Sequence, residues 1–479
     1  MSNIVTRKFI NPDIAWHQFD DTGKKIVIDY KEISSAIDHW KNILVEKANF
    51  RRGHKLAIGA NLCDLRYMSL IFAGVELGAK LVIIDKPLTP EKISDVRCRI
   101  HAPFDLMVVN DNDVSPELQA VVDTYATKTL TFDLWYDSAW RSPTGKPAGA
   151  SWAKPDCDIL ICTSSGTTGT PSPISYTHEF FAALIDRQEK ALDFRSEDRC
   201  LHLSNFHHGG SSANFFWPSM KFCKYHYFDY GLTVERLPEI INLVYNEKIN
   251  KVMFPNVLVL EEFIKRSPRY EVPLDVHLLG SNRKSWIPMM AAANIRSITA
   301  HWGFSEMEGP ILLNVMRSDS PDDFDAANFG KLLDDFYSAE IVEQGFRVSN
   351  HLRGSWTSKD RLTRDKYGNY IFHGRTNGVR LNGNLYNFEI FSNMAEKYFD
   401  NKAYLVPDSE FDRIYLLCDI GLEHRDDFTT SYKSLQQSLH KLDPELTISR
   451  TAFQDLYRFY DQVKFSHARA KSFFREDIT

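Results

Sequence analysis

The densest set of residues able to do chemistry lies in one short run, Ile161-Cys162-Thr163-Ser164-Ser165-Gly166-Thr167-Thr168-Gly169-Thr170-Pro171. From Thr163 to Thr170 every residue is a glycine or carries a hydroxyl, so the run has many hydrogen-bond donors and almost no bulk. Backbone N–H groups turned inward at glycines make a concave nest for phosphate oxygens, and Ser and Thr hydroxyls add donors or a magnesium ligand. A flexible Gly/Ser/Thr linker is the competing reading. What flanks the run decides between the two.

Ile159-Leu160-Ile161-Cys162 reads as a short apolar strand entering the run, and Pro173-Ile174-Ser175-Tyr176 as a strand leaving it. The run is therefore a loop between strands. It lacks the Gly-Lys-Ser/Thr of a Walker loop and does not open a helix, so a phosphate there must rely on the loop's own N–H groups and hydroxyls. Upstream, Asp29 and Glu32 have capping-box spacing, and Ile33, Ile37, Trp40, Ile43 and Leu44 repeat on one helical face. Strands expected at 55–60 and 81–84, with a helix at 64–77 between them, give the βαβ rhythm of a parallel sheet. Residues 138–155, rich in Ser, Pro and Gly, read as a surface connection. Beyond the loop a helix is expected at 179–192 and strands at 252–254 and 276–279.

Near Gly374 to Gly383 the texture turns Gly/Asn/Arg-rich, which places a hinge at about 374–380. The remaining residues hold strands at 403–406 and 414–418 and a helix at 431–442. The expected class is α/β: a large multi-subdomain N-terminal domain of mixed sheets and helices over 1–375, plus a small mobile α+β C-terminal domain over 376–479.

The chain of 479 residues is 43% hydrophobic, enough for more than one core. Its 57 basic and 63 acidic side chains are mixed along the sequence, giving a net charge of −6 without a basic tract, which argues against nucleic acid or an anionic membrane as partner. The N-terminus lacks the apolar core of a secretory signal, and the most apolar stretch, 70–85, is interrupted by Glu76 and Lys80 and is too short to span a bilayer. Seven scattered cysteines with no CxxC pair argue for reduced thiols in a cytoplasmic protein and against structural zinc.

With the loop, its strands and the following Thr177-His178 in place, the sequence resembles the adenylate-forming superfamily of acyl-CoA synthetases, peptide-synthetase adenylation domains and luciferases. Further matching segments follow in order: Trp302-Gly303-Phe304-Ser305-Glu306, Asp360 with Asp365-Lys366-Tyr367-Gly368, and Gly374-Arg375; Arg52-Gly53 and Ile84-Asp85-Lys86-Pro87 fit the N-terminal region. The resemblance implies ATP and magnesium as cofactors, AMP as product, and a carboxylic acid as substrate. It also implies coenzyme A or a phosphopantetheinyl carrier protein as acceptor, with the active site between the two domains.

By the same resemblance, Thr163, Ser164, Ser165, Gly166, Thr167, Thr168 and Gly169 cradle phosphate, and Glu306 and Thr167 help to hold magnesium. Gly280, Ser281 and Asn282 line the adenine, Trp302 stacks on it with Gly303 and Ser305 adjoining, Asp360 binds the ribose hydroxyls, and Arg375 adds a nucleotide contact. Lys471 is the candidate for the late catalytic lysine, and His207 in Phe206-His207-His208-Gly209-Gly210 stands where a gating side chain is expected. Amino-acid-activating relatives carry an Asp after that Phe; His207 instead favours an acyl or aryl acid, with Phe215, Phe216 and Trp217 as candidate pocket walls. The sequence departs from the pattern at Ser172, where a basic residue is usual, at Asn377, at Ala470 before the lysine, and in a hinge about two residues short, where Arg380 could stand in for the usual basic residue. These departures keep a degenerate nucleotide-binding protein open as an alternative. A stand-alone adenylation enzyme loading a carrier and a luciferase-like oxygenase are the other two.

Overall fold

A computed structural model describes residues 4–19, 25–59, 65–84, 89–100, 103–109, 115–131, 151–163, 173–203, 212–228, 232–255, 257–280, 282, 284–307, 309–319, 328–375, 378–381, 384–399, 402–408, 413–423, 427–442, 444, 446–461, 464–465 and 467–476. Its contacts divide the chain into two compact units. Unit 1 comprises Met1–Ser338 and Ser349–Gly354, and unit 2 comprises Ala339–Val348 and Ser355–Thr479.

Unit 1 begins with β1 (Ala15–Phe19) and β2 (Lys25–Asp29), followed by α1 (Tyr30–Asn42). Asp29 caps α1 as its spacing predicts: Oδ1 accepts from the Glu32 N–H at 2.8 Å, and the Glu32 carboxylate accepts from the Asp29 N–H at 3.1 Å. The βαβ rhythm then becomes β3 (Lys55–Gly59), α2 (Leu65–Glu76), β4 (Lys80–Ile84), α3 (Pro90–Ile100), β5 (Leu106–Val109), α4 (Pro116–Tyr125), β6 (Thr129–Thr131), β7 (Asp158–Thr163), β8 (Pro173–Thr177) and α5 (His178–Ala191).

These strands form a sheet in the order β6-β5-β3-β4-β7-β8. All its pairs are parallel except β7–β8. Ala57, Val82, Ile84, Met107 and Val109 from the strands bury against Ile93, Leu118 and Val122 of α3 and α4, the continuous apolar strand texture that a sheet covered by helices requires.

A second sheet uses β9 (Arg199–His202), β10 (Tyr225–Phe228), β11 (Lys251–Phe254), β12 (Leu274–Leu279), β13 (Ile295–Trp302), β14 (Leu312–Arg317) and β15 (Asn328–Leu332), with β1 and β2 added at its far edge. Within unit 1 its order is β15-β14-β13-β12-β11-β9-β10-β1-β2. The stretch from β1 through β10, β9, β11 and β12 to β13 is parallel throughout. The connections after β12 and β13 therefore leave the same end of the sheet.

Buried charge in unit 1 is paired. Arg7 donates from its N–H and guanidinium to the Glu76 carboxylate at 2.7 to 3.0 Å, and the buried Lys41 ammonium lies 3.0 Å from the same group. Burial alone would raise the Glu76 pKa, yet the Arg7 hydrogen bonds and the charges of Arg7 and Lys41 hold it below the usual carboxylate value. Glu76, which interrupts the apolar stretch in sequence, thus fastens the N-terminal segment and α1 to the end of α2.

Unit 2 contains most of a small sheet, β16 (Ser338–Val342), β17 (Gly345–Asn350) and β18 (Gly354–Ser358), then the antiparallel pair β19 (Asp360–Arg364) and β20 (Tyr370–Arg375). It continues with the hairpin β21 (Gly378–Leu381) and β22 (Asn384–Asn387), and the sheet β23 (Ala403–Asp408), β24 (Arg413–Asp419) and β25 (Ile448–Gln454). One face of that sheet is covered by helices Phe388–Phe399 and Phe428–Leu442 through Phe391, Phe399, Leu405, Leu416, Leu435 and Leu439. A two-residue-strand hairpin, β26 (Tyr460–Asp461) and β27 (Lys464–Phe465), precedes helix His467–Glu476. Among the described residues no helix is long and apolar enough to cross a membrane.

Candidate active site

The segment expected to cradle phosphate is bounded by the two strands that its flanks predict. β7 and β8 pair antiparallel, with Thr163 opposite Pro173. Ser164, Ser165, Gly166, Thr167, Thr168, Gly169 and Ser172 lie outside the described residues, as do His207, Ser281 and Asn377. β8 passes directly into α5, whose N-cap Thr177 accepts from the Phe180 N–H at 3.3 Å. Burial pushes the pKa of His178, the first residue of α5, down to about 4, so its imidazole is neutral at ordinary pH.

The Trp302–Glu306 segment leaves β13 as an irregular turn, and such a turn must find partners for its carbonyls outside regular structure. The Trp302 carbonyl accepts from Ile311 N–H at 2.9 Å and that of Phe304 from Met307 N–H at 3.1 Å. Side chains satisfy the next three. Tyr176 of β8 donates its hydroxyl to the Ser305 carbonyl, Arg353 donates Nε at 3.2 Å and Nη2 at 2.7 Å to the Glu306 carbonyl, and Tyr337 donates to the Met307 carbonyl at 3.1 Å.

Gly303 is required by the close approach of the turn to itself, since a Cβ there would stand 2.5 Å from the Gly309 carbonyl oxygen. The Trp302 ring, half-buried, packs against Phe304 and Phe329 with centroids 5.7 Å apart in each case.

The Glu306 carboxylate is half-buried, and no hydrogen bond or ion pair engages it among the described residues. Nor, among those residues, does any group of three His, Cys, Asp or Glu side chains form a resident metal cage. A carboxylate that stands unengaged among the described residues would fit magnesium that arrives on ATP, because that ion keeps most of its waters and takes one or two carboxylates besides the phosphates.

β12 leads to Gly280 and Asn282. Gly280 has φ +154, and a Cβ there would meet the Val257 side chain at 2.6 Å, so the end of the strand packs close against Val257. Asn282 is buried and donates its amide to the carbonyls of Ile298 at 3.2 Å and Asn314 at 3.1 Å, which ties the segment to β13 and β14.

Two buried imidazole pairs, not singled out in the sequence, occupy this sheet. His277 Nδ1 of β12 lies 3.1 Å from His301 Nε2 of β13, and His202 Nε2 of β9 lies 3.1 Å from His226 Nδ1 of β10. Burial depresses all four, His301 to about 3 and His226 to about 4. Phe215 joins the two pairs, 5.2 Å from His277 and 5.3 Å from His202. Phe216 and Trp217 instead border a cavity of about 10 Å3 with Leu81 and Leu160, room for no more than a water-sized guest.

Unit 2 carries the other expected residues. Asp360, buried at the start of β19, and Arg375, at the end of β20, are cross-strand partners despite fourteen intervening positions. Lys471 lies half-exposed on helix His467–Glu476, between buried Ala470 and the segment ending in buried Phe474. That helix is fixed by a two-pronged Arg475–Asp408 ion pair at 2.7 and 2.6 Å and by Phe474 stacking on Tyr415 with centroids 4.6 Å apart.

The match of a family model over most of the chain places this largely parallel α/β scaffold among adenylate-forming enzymes. The chain belongs to the AMP-binding enzyme family, whose model matches residues 13–346. Among curated proteins, the nonribosomal peptide synthetase notE' of Aspergillus versicolor is 24% identical over 139 residues, which is 28% of this chain and 6% of that much longer protein.

Two solved structures share the fold nearly end to end. The McyG adenylation and carrier structure, complexed with phenylalanyl-adenylate, has a TM-score of 0.77 at 12% identity, covering 100% of this chain and 96% of that one. The anthranilate CoA ligase AuaEII, complexed with anthranoyl-AMP, has a TM-score of 0.73 at 13% identity, covering 98% of each chain.

Proposed function

We propose that the protein activates a carboxylic acid with ATP, forming an acyl-adenylate and pyrophosphate, and then passes the acyl group to the thiol of coenzyme A. The observation that carries this reading is the braced turn of Glu306: its backbone is tied through Tyr176 and Arg353 to the strand leaving the glycine- and hydroxyl-rich loop, while its carboxylate makes no hydrogen bond or ion pair among the described residues.

Attack of a carboxylate on the α-phosphorus of ATP brings two negative groups together while pyrophosphate gathers further charge, so positioning and fixed dipoles must supply most of the catalysis. Thr163, Ser164, Ser165, Gly166, Thr167, Thr168 and Gly169 hold the phosphates. Glu306 and Thr167 hold the magnesium carried by ATP, which offsets charge on the phosphate oxygens. Gly280, Ser281, Asn282, Trp302, Gly303 and Ser305 line the nucleotide's base, and Asp360 and Arg375 take the ribose and a further nucleotide contact. Lys471 neutralises the reacting carboxylate and phosphate oxygens, and His207 borders the acid. The boundary at 375 with a hinge over 374–380 belongs to the same proposal, as the point about which a C-terminal domain turns between half-reactions.

His207 in place of the Asp of amino-acid-activating relatives favours an acyl or aryl acid. The partial match to a peptide synthetase favours a second reading, in which a phosphopantetheinyl carrier accepts the acyl group. Incubating the protein with Mg-ATP, a panel of aryl, fatty and amino acids, and either coenzyme A or a phosphopantetheinylated carrier tests both. Acyl-CoA formation is expected; acyl-carrier formation alone would replace the first acceptor with the second, and no thioester with either would refute the transfer step.

A further inference from the structure

Arg353 sits where the chain has no sequence motif to announce it, yet it touches three parts of the candidate site. One guanidinium nitrogen donates to the Ser175 carbonyl of β8, and the other two donate to the Glu306 carbonyl at 3.2 and 2.7 Å. Its plane lies over the rings of Tyr176 at 4.8 Å and Phe180 at 5.4 Å, which fixes the fork's orientation. Tyr176, beneath it, donates to the adjoining Ser305 carbonyl. Two consecutive carbonyls of the Glu306 turn are thus bound to the strand that leaves the phosphate loop, and one of the two binding groups is a charged, planar donor.

We propose that Arg353, supported by Tyr176, is a positioning residue: it sets the backbone of Glu306 relative to β8, so that the carboxylate meets the metal on ATP while the loop before β8 meets the phosphates. The inference rests on the adenylation reading for its consequence, since it acts through Glu306. No group on Arg353 needs to reach the nucleotide. A guanidinium that makes three donations through one rigid plane cannot be replaced in full by an ammonium, although an ammonium can restore a single charged hydrogen bond.

The test compares wild type with Arg353→Met, Arg353→Lys and Tyr176→Phe, using ATP as the probe so that the acid need not be known. Calorimetry measures ATP binding with magnesium and, separately, with EDTA, and amide hydrogen exchange follows residues 303–307 without nucleotide. For Arg353→Met the account expects metal-free ATP to bind within about twofold of wild type, the gain from magnesium to fall by about tenfold or more, and exchange over 303–307 to quicken. Arg353→Lys should recover part of both effects, and Tyr176→Phe, whose fold is the least disturbed, should show the same signs at smaller size.

Equal loss of ATP binding with and without magnesium would mean a merely structural role and would overturn the proposal. So would an unchanged magnesium gain, or wild type showing no magnesium gain at all. If wild type binds no ATP, the adenylation reading itself fails; unchanged exchange over 303–307 would then show separately that Arg353 does not hold the turn.

Discussion

Glu306 shows how much a single side chain owes to groups that never touch its chemistry. Its carboxylate is unengaged among the described residues, while its carbonyl and that of Ser305 are bound by side chains distant in sequence. Asp360 and Arg375 are likewise made neighbours by a strand pair rather than by sequence.

Lys471 is a different matter, since it stands on a helix whose Ala470 and Phe474 are packed into a core with Val406, Tyr415, Leu417 and Leu456. Lys464, on the short hairpin before that helix, is a second lysine seven positions earlier in sequence. If Lys471 is the adenylation lysine, Lys471→Ala should lower acid-dependent pyrophosphate exchange about a hundredfold or more while sparing thiolation of a supplied acyl-adenylate, and Lys464→Ala should do neither. The opposite pattern would transfer the role to Lys464.

At the scale of elements, the local signals were legible because they are written in adjacent residues. The Asp29–Glu32 capping box, the apolar strands around 55–60 and 81–84, and the two strands that end at Thr163 and begin at Pro173 all reappear. The bracing of the Glu306 turn was not legible, because Arg353 meets Ser175 across 178 positions and Glu306 across 47. Neither was the pairing of His277 with His301, which depends on the register between β12 and β13.

Glu76 falls between these cases: a charge in an apolar run is visible in sequence, but its partners Arg7 and Lys41 are not. Removing it would take away the carboxylate that the buried Lys41 ammonium faces at 3.0 Å. Glu76→Ala should therefore destabilise unit 1 by about 3 to 5 kcal/mol in urea unfolding. A loss of only a few tenths would show that the network carries little.

At the scale of the whole molecule, the buried imidazoles give stability a definite dependence on pH. Burial holds His178 and His226 near pKa 4, His301 near 3, and His202 and His277 well below the ordinary value of 6.5. In the unfolded chain each titrates near ~6.5, so below that pH the unfolded state takes up protons that the folded state does not. Their contribution is complete above about pH 6.5 and is lost as pH falls toward about 4, at up to ~1.4 kcal/mol per pH unit for each group. Urea midpoints should accordingly be flat above about pH 7 and fall steadily between about 6.5 and 4.5. A midpoint independent of pH across that window would contradict the burial of these side chains.

The family match places the chain among adenylate-forming enzymes, and its departures at Ser172 and Asn377 make turnover itself the quantity to measure. The most direct measurement is acid-dependent exchange of labelled pyrophosphate into ATP, run over aryl, fatty and amino acids with wild type and Glu306→Gln. The account predicts exchange that requires one class of acid and magnesium, and that falls about a hundredfold or more in Glu306→Gln. ATP binding without exchange for any acid, or exchange that Glu306→Gln leaves intact, would contradict it.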